Sequence, residues 1–144
     1  MNTDAQTSIR GIMDEWYAAL NRGDAPAVGE HYAPDVLVAS LAPPLWTRGN
    51  EKYIANMTEW FATFLEPLKG EPEKVEIVAG DTLAFVNGCS LLRGQKKGED
   101  SEREWRVRLT LCLEKRAGRW LVVADHTSVP FDMNTLEPLM KLSE

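Results

Sequence analysis

The chain has 144 residues, 44% of them hydrophobic and 26% charged, with a net charge of −6. Those figures suit one soluble globular domain with one core, spanning 1–144. They argue against nucleic acid as a partner, which would need a basic patch, and against a membrane, because no apolar run approaches the length of a span.

The N-terminal MNTDAQTS lacks a basic segment followed by an apolar core. No signal peptide is expected, and a cytoplasmic location is. Cys89 and Cys112 lie far apart without CxxC spacing, so two buried, reduced thiols are expected rather than a metal or redox site.

In chain order, residues 6–22 predict an amphipathic helix. Ile9, Ile12, Met13, Trp16 and Leu20 recur at helical spacing, and Gly23 is placed to stop it. Asp24 then caps a short second helix, through Val28 to about Tyr32, and His31 caps a helix end. VLVASLA, 36–42, predicts a strand ended by Pro43-Pro44. Asn50 is placed to cap a third helix over 51–66, with Tyr53, Ile54, Met57, Trp60, Phe61 and Phe64 on its apolar side. KGEPE predicts a turn. Four strands follow, over 73–79, 82–93, 102–115 and 119–129, separated by Gly80-Asp81, GQKKGED and Ala117-Gly118. Asn87-Gly88, inside the second of these, suggests a bulge or an inward polar contact. The tail 134–142 can add an amphipathic turn through Leu136, Leu139 and Met140.

Helix, helix, strand, helix and a four-strand meander make an α+β fold, with three N-terminal helices against a curved antiparallel sheet. Such a cone leaves a pocket inside for a small ligand. The order, with the junction ALNRGDAPAV, the strand entry HYAPDVLV and the ending GRWLVVADHTSVPF, resembles the nuclear-transport-factor-two-like superfamily. That superfamily includes ketosteroid isomerases, polyketide cyclases of the SnoaL type and a kinase association domain. The last motif resembles SnoaL-like proteins of the ketosteroid-isomerase-like kind. The fold hosts many functions, so function has to be read from the site. Ketosteroid isomerases use a carboxylate base on the first strand, with a tyrosine and a protonated aspartic acid as oxyanion hole. Carried over by ungapped counting, the tyrosine position falls on Trp16, the base on Ser40 and the acid near Thr110. None can perform those tasks, and no Asp or Glu lies between Val36 and Arg48. Isomerisation by that mechanism is not expected.

Strand parity directs Asp125 and His126 to opposite faces, so they do not form a catalytic dyad. A two-residue turn at Ala117-Gly118 pairs Arg116 with Arg119, Asp125 with Thr110 and Thr127 with Arg108. A three-residue turn would place His126 beside Arg108 instead. The first register is preferred because it gathers Arg108, Thr110, Asp125 and Thr127 on one polar face. The family position matching Thr127 looks inward, which puts this set in the cone. The other face, with Val107, Leu109, Leu111, Trp120, Val122 and Ala124, would then be outside, arguing for a homodimer through His126, Ser128 and Trp120.

Two readings of Asp125 stay open: a structural ion pair with Arg108, or a general base in an apolar cavity with a shifted pKa. The expected protein binds a small, mostly apolar organic molecule. As an enzyme it would catalyse isomerisation, dehydration, cyclisation or hydrolysis by acid/base chemistry without cofactor or metal. Asp125 and Arg108 would be catalytic, Thr110 and Thr127 would orient the ligand, and Trp16, Trp46, Tyr53 and Trp60 would form the walls. The alternative is a non-catalytic ligand-binding or assembly module. Two distant histidines and the lack of GxSxG, HExxH, P-loop or GxGxxG motifs suggest no nucleotide or metal.

Overall fold

The computed structural model describes residues 1–141. The first helix, α1 (Thr3–Asn21), starts earlier than expected because the Asn2 side chain accepts from the Ala5 N–H at 2.9 Å. It buries Ile9, Met13, Tyr17 and Leu20 on one stripe, each large side chain stabilising by roughly 1.5–3 kcal/mol. Gly23 follows at φ 70, a left-handed turn that glycine adopts without strain. Asp24 caps α2 (Ala25–Val28) as expected, accepting from the Ala27 N–H, but the helix ends at Val28 rather than near Tyr32, where the first strand already begins. His31 caps no helix; its ring bonds Glu15 at 2.5 Å.

Strand β1 (Tyr32–Ala39) begins four residues before the expected start, and a short β2 (Thr47–Arg48) pairs with it. In α3 (Asn50–Phe61), Gly49 occupies the cap position and Asn50 is already helical. The helix stops before residue 66 because the chain turns to meet the segment around Gln95 and Lys97: the Leu65 N–H donates to Gln95 O and the Lys97 N–H to Thr63 O. The meander is β3 (Lys69–Ala79), β4 (Leu83–Gly94), β5 (Arg103–Arg116) and β6 (Arg119–Ser128). KGEPE is no turn: it pairs with β4, from Lys69 opposite Arg93 to Glu73 opposite Cys89.

The curved, unclosed sheet runs β2-β1-β6-β5-β4-β3, with the helices beside it, and the fold is α+β. One pair, β1 with β6, is parallel; the others are antiparallel. Asn87 and Gly88 stay in regular register with β5, and the bulge lies opposite them, in β3 between Glu73 and Glu76. Gly88 makes room for it, since a Cβ there would sit 3.0 Å from Val75 Cγ2 and 3.2 Å from Glu73 O.

The last hairpin turns as preferred, with Arg116 opposite Arg119 and both turn residues left-handed, Ala117 at φ 48 and Gly118 at φ 79. A second bulge then changes the register. Leu113 faces Val122 but Cys112 faces Ala124, leaving Val123 as the extra residue. Asp125 therefore lies opposite Leu111, not Thr110, and Thr127 opposite Leu109, not Arg108. Because side-chain direction has period two, one extra residue moves everything after it to the other face. Trp120 and Val122 before the bulge and Asp125 and Thr127 after it share the inner face. Val107, Leu109 and Leu111 line the same interior.

Arg108, Thr110 and Cys112 join His126 and Ser128 on the outer face. Arg108 Nε donates to Ser128 Oγ at 3.2 Å, and Thr110 donates to Asn87 Oδ1 at 2.8 Å. The continuous apolar surface expected outside lies inside, so the inference of a dimer through it loses its premise. Trp120 is only 5% exposed and belongs to the core. Cys89 is half-buried and Cys112 exposed, both free, so the expectation of two buried thiols is corrected.

The described part of the tail, 134–141, forms turns, but Leu136 is 71% exposed, so the expected amphipathic turn through Leu136, Leu139 and Met140 has no common buried side. Asp132 Oδ1 accepts from the N–H groups of Asn134 and Thr135, and Phe131 bridges Pro138. Residue 142, the end of the tail segment, lies outside the described residues. Among those described, no helix is long and apolar enough to cross a membrane.

Candidate active site

Between the helices and the inner face of the sheet lies a cavity of about 590 Å³. Its walls are mostly apolar, including Met13, Leu20, Trp60, Phe64, Trp105 and Leu111. At its mouth stand Ser40 to Pro44, Glu59, Lys96 and Met140, the last fixed by its carbonyl accepting the Arg106 N–H. An apolar chamber with few polar groups is the usual form of a small-molecule site.

The polar groups converge on Asp125. The β6 bulge turns this carboxylate inward, where the residue is 6% exposed. The Tyr32 hydroxyl, from the start of β1, donates to Asp125 Oδ2 at 2.5 Å. The Tyr32 ring stacks on Tyr53 of α3, with centroids 4.3 Å apart and planes 4° from parallel. Asp125 Oδ1 is buried and has no hydrogen-bond partner among the described residues. Further along the wall, the Tyr17 hydroxyl and Ser90 Oγ share a hydrogen bond at 2.5 Å.

Burial sets the electrostatics. It pushes the Asp125 carboxyl up to about 6, while the Tyr32 hydrogen bond and the neighbouring His126 hold it back. Tyr32 and Tyr53 are raised by burial and then by the Asp125 charge, and Tyr17 by burial above all. The three phenols stay protonated and serve as hydrogen-bonding groups, leaving Asp125 to titrate near neutrality. An aspartate of raised pKa with one free oxygen in an apolar cavity can accept or deliver a proton.

Of the residues expected from sequence, the structure brings Asp125, Trp16, Tyr53, Trp60 and Thr127 to the cavity. It does not bring Arg108 or Thr110: both lie on the outer face of β5, and the β6 bulge turns Asp125 to the other face, so no Arg108–Asp125 ion pair forms. Trp46 is 62% exposed and borders a separate shallow depression with Pro44, Arg48 and Lys52, so it is not a wall of the chamber. His126 and Ser128 lie on the outer face. Among the described residues no group of three or more His, Cys, Asp or Glu is gathered for a metal.

Sequence reasoning missed Tyr17, Tyr32 and Ser90. Tyr17 stands four residues after Met13 and eight after Ile9, so the helical period pointed to it. Ser90 shares the even-numbered inward face of β4 with Ala84, Val86 and Leu92, where a polar residue amid apolar ones was the signal. Tyr32 carried none, because its role depends on the parallel pairing of β1 with β6.

A profile of the SnoaL-like domain matches residues 9–132. No curated protein matches the chain. Among solved structures, an NTF2-like protein of unknown function from Pseudomonas putida KT2440 is 26% identical, covering 100% of this chain and 99% of that one, with a TM-score of 0.88. A ketosteroid isomerase-like protein from Erwinia carotovora atroseptica is 21% identical, covering 88% and 97%, TM-score 0.75. A protein provisionally assigned as a scytalone dehydratase, from Novosphingobium aromaticivorans, is 16% identical, covering 96% and 95%, TM-score 0.77. The last two likenesses concern the fold alone.

Proposed function

The chain belongs to the SnoaL-like domain family, and from that premise we propose that it is an acid/base enzyme acting on a small, mostly apolar organic molecule. The observation that carries this reading is Asp125: buried in the cavity, bonded through one oxygen to Tyr32, and open at the other. A structural carboxylate would have both oxygens satisfied, because an unpaired buried acceptor costs about 1–3 kcal/mol. Asp125 would move a proton to or from the substrate, and Tyr32 would hold it in place. The apolar walls would exclude water and keep the carboxyl near neutral pKa. The reaction class is isomerisation, dehydration, cyclisation or hydrolysis, all open to a carboxylate and phenols. The neighbours called ketosteroid isomerase-like and scytalone dehydratase are in keeping with such chemistry.

The test is turnover of a panel of apolar ketones, enones and hydroxylated aromatics, followed by product formation and by deuterium uptake from solvent. At least one compound should react, and Asp125→Asn should slow it about 10²–10⁴-fold. Undiminished turnover in Asp125→Asn would remove Asp125 as the acid/base. The second reading is a ligand carrier without catalysis, favoured by one observation: among the described residues no histidine or cysteine lines the cavity with Asp125, and the cavity's other carboxylate, Glu59, stands at the mouth. Tight binding without turnover of any panel member would select that reading.

A further inference from the structure

Two side-chain atoms are buried without a hydrogen-bond partner among the described residues, and both belong to residues lining the same cavity. They are the Trp16 indole Nε1, a donor, and Asp125 Oδ1. Buried polar groups are otherwise paired in folded proteins, so two orphans in one chamber call for a cause. The Trp16 N–H lies close enough to the Tyr53 hydroxyl to favour its ionised form, yet it completes no hydrogen bond. Tyr53 in turn stacks on Tyr32, which holds Asp125. The Trp16 ring is fixed edge-on against Tyr17, with centroids 5.0 Å apart, so its N–H is not free to turn elsewhere at no cost.

We infer that the ligand of this cavity is an apolar molecule carrying a carbonyl-type acceptor, taken by the Trp16 N–H, and a hydroxyl-type hydrogen, taken by Asp125 Oδ1. The inference rests on the cavity being the ligand site, as proposed above, and adds the polar pattern that its occupant must present. A purely apolar occupant would expel water and leave both groups unpaired. A molecule with the two complementary groups satisfies them, and this selects against its hydrocarbon counterpart. Trp16 is thereby a specificity residue rather than only a wall. The competing explanation is water, which can satisfy buried polar groups in a cavity this size.

The probes are two matched pairs, tetralin with α-tetralone and naphthalene with β-naphthol, titrated into the intact chain. Trp16→Phe keeps an aromatic wall and removes the N–H with part of the ring, a loss of volume that the matched hydrocarbon controls for. It should weaken α-tetralone about five- to tenfold and leave tetralin within about twofold. Asp125→Asn should weaken β-naphthol by a similar factor and spare naphthalene. In the unmutated protein, the Trp16 indole N–H resonance should shift with α-tetralone and not with tetralin, a readout that does not depend on any variant folding. If each variant affects both members of its pair alike, and the resonance does not distinguish them, water satisfies these atoms and the inference falls while the cavity reading stands. If no probe binds the unmutated chain, both fall together.

Discussion

At Asp125 two demands oppose each other: the cavity wants a neutral wall, while the carboxyl wants water. Its pKa of about 6 records the compromise. The folded protein therefore binds this proton more tightly than the unfolded chain, where an aspartate titrates near 4. The contribution to stability is full below that value and is lost as pH rises through about 6, on the order of 3 kcal/mol in all. Asp125→Asn cannot ionise and escapes the loss. Urea unfolding of both proteins should show the variant gaining on the parent between about pH 4 and 7. A difference that stays flat with pH would contradict the desolvated placement of Asp125.

The elements were largely legible because each has its own period and punctuation. The α1 stripe, the Gly23-Asp24 stop and cap, and the breaks at Gly80-Asp81 and Ala117-Gly118 all mark real boundaries. The misplaced ends share one cause. Residues 62–65 and the KGEPE segment follow partners distant in sequence, the β4–β5 loop and β4, rather than local preference. Ala117 sits at φ 48, where a side chain without a local hydrogen bond is strained. Ala117→Asn, which restores the Asn-Gly pair favoured in such turns, should stabilise by about 0.5–1 kcal/mol in urea unfolding. A destabilised variant would mean that the turn is not of the two-residue left-handed kind.

For the whole molecule, the cavity is the defining feature, since a domain of this size ordinarily fills its core. An open interior leaves room to add volume without the strain that overpacking brings elsewhere. Leu109, on β5 opposite Thr127, is a wall residue. Leu109→Trp should occupy the chamber and abolish binding of an apolar fluorescent dye, with a thermal midpoint equal to or above that of the parent. Undiminished dye binding would place the dye somewhere other than this cavity.

The sequence by itself determined the fold class and the separation of Asp125 from His126, because periodicity, caps and parity are local properties. Arg108 shows where local reading ends. Its partner depended on one extra residue, Val123, in a strand whose neighbours lie far along the chain. A bulge is placed by packing on both sides of a strand, which no local pattern records. That single residue set Asp125 against Leu111 and turned it inward, away from the outer face that carries Arg108 and Thr110. The candidate site is thus a tertiary product: a carboxylate visible in the sequence, held by a phenol that only the β1–β6 pairing brings near.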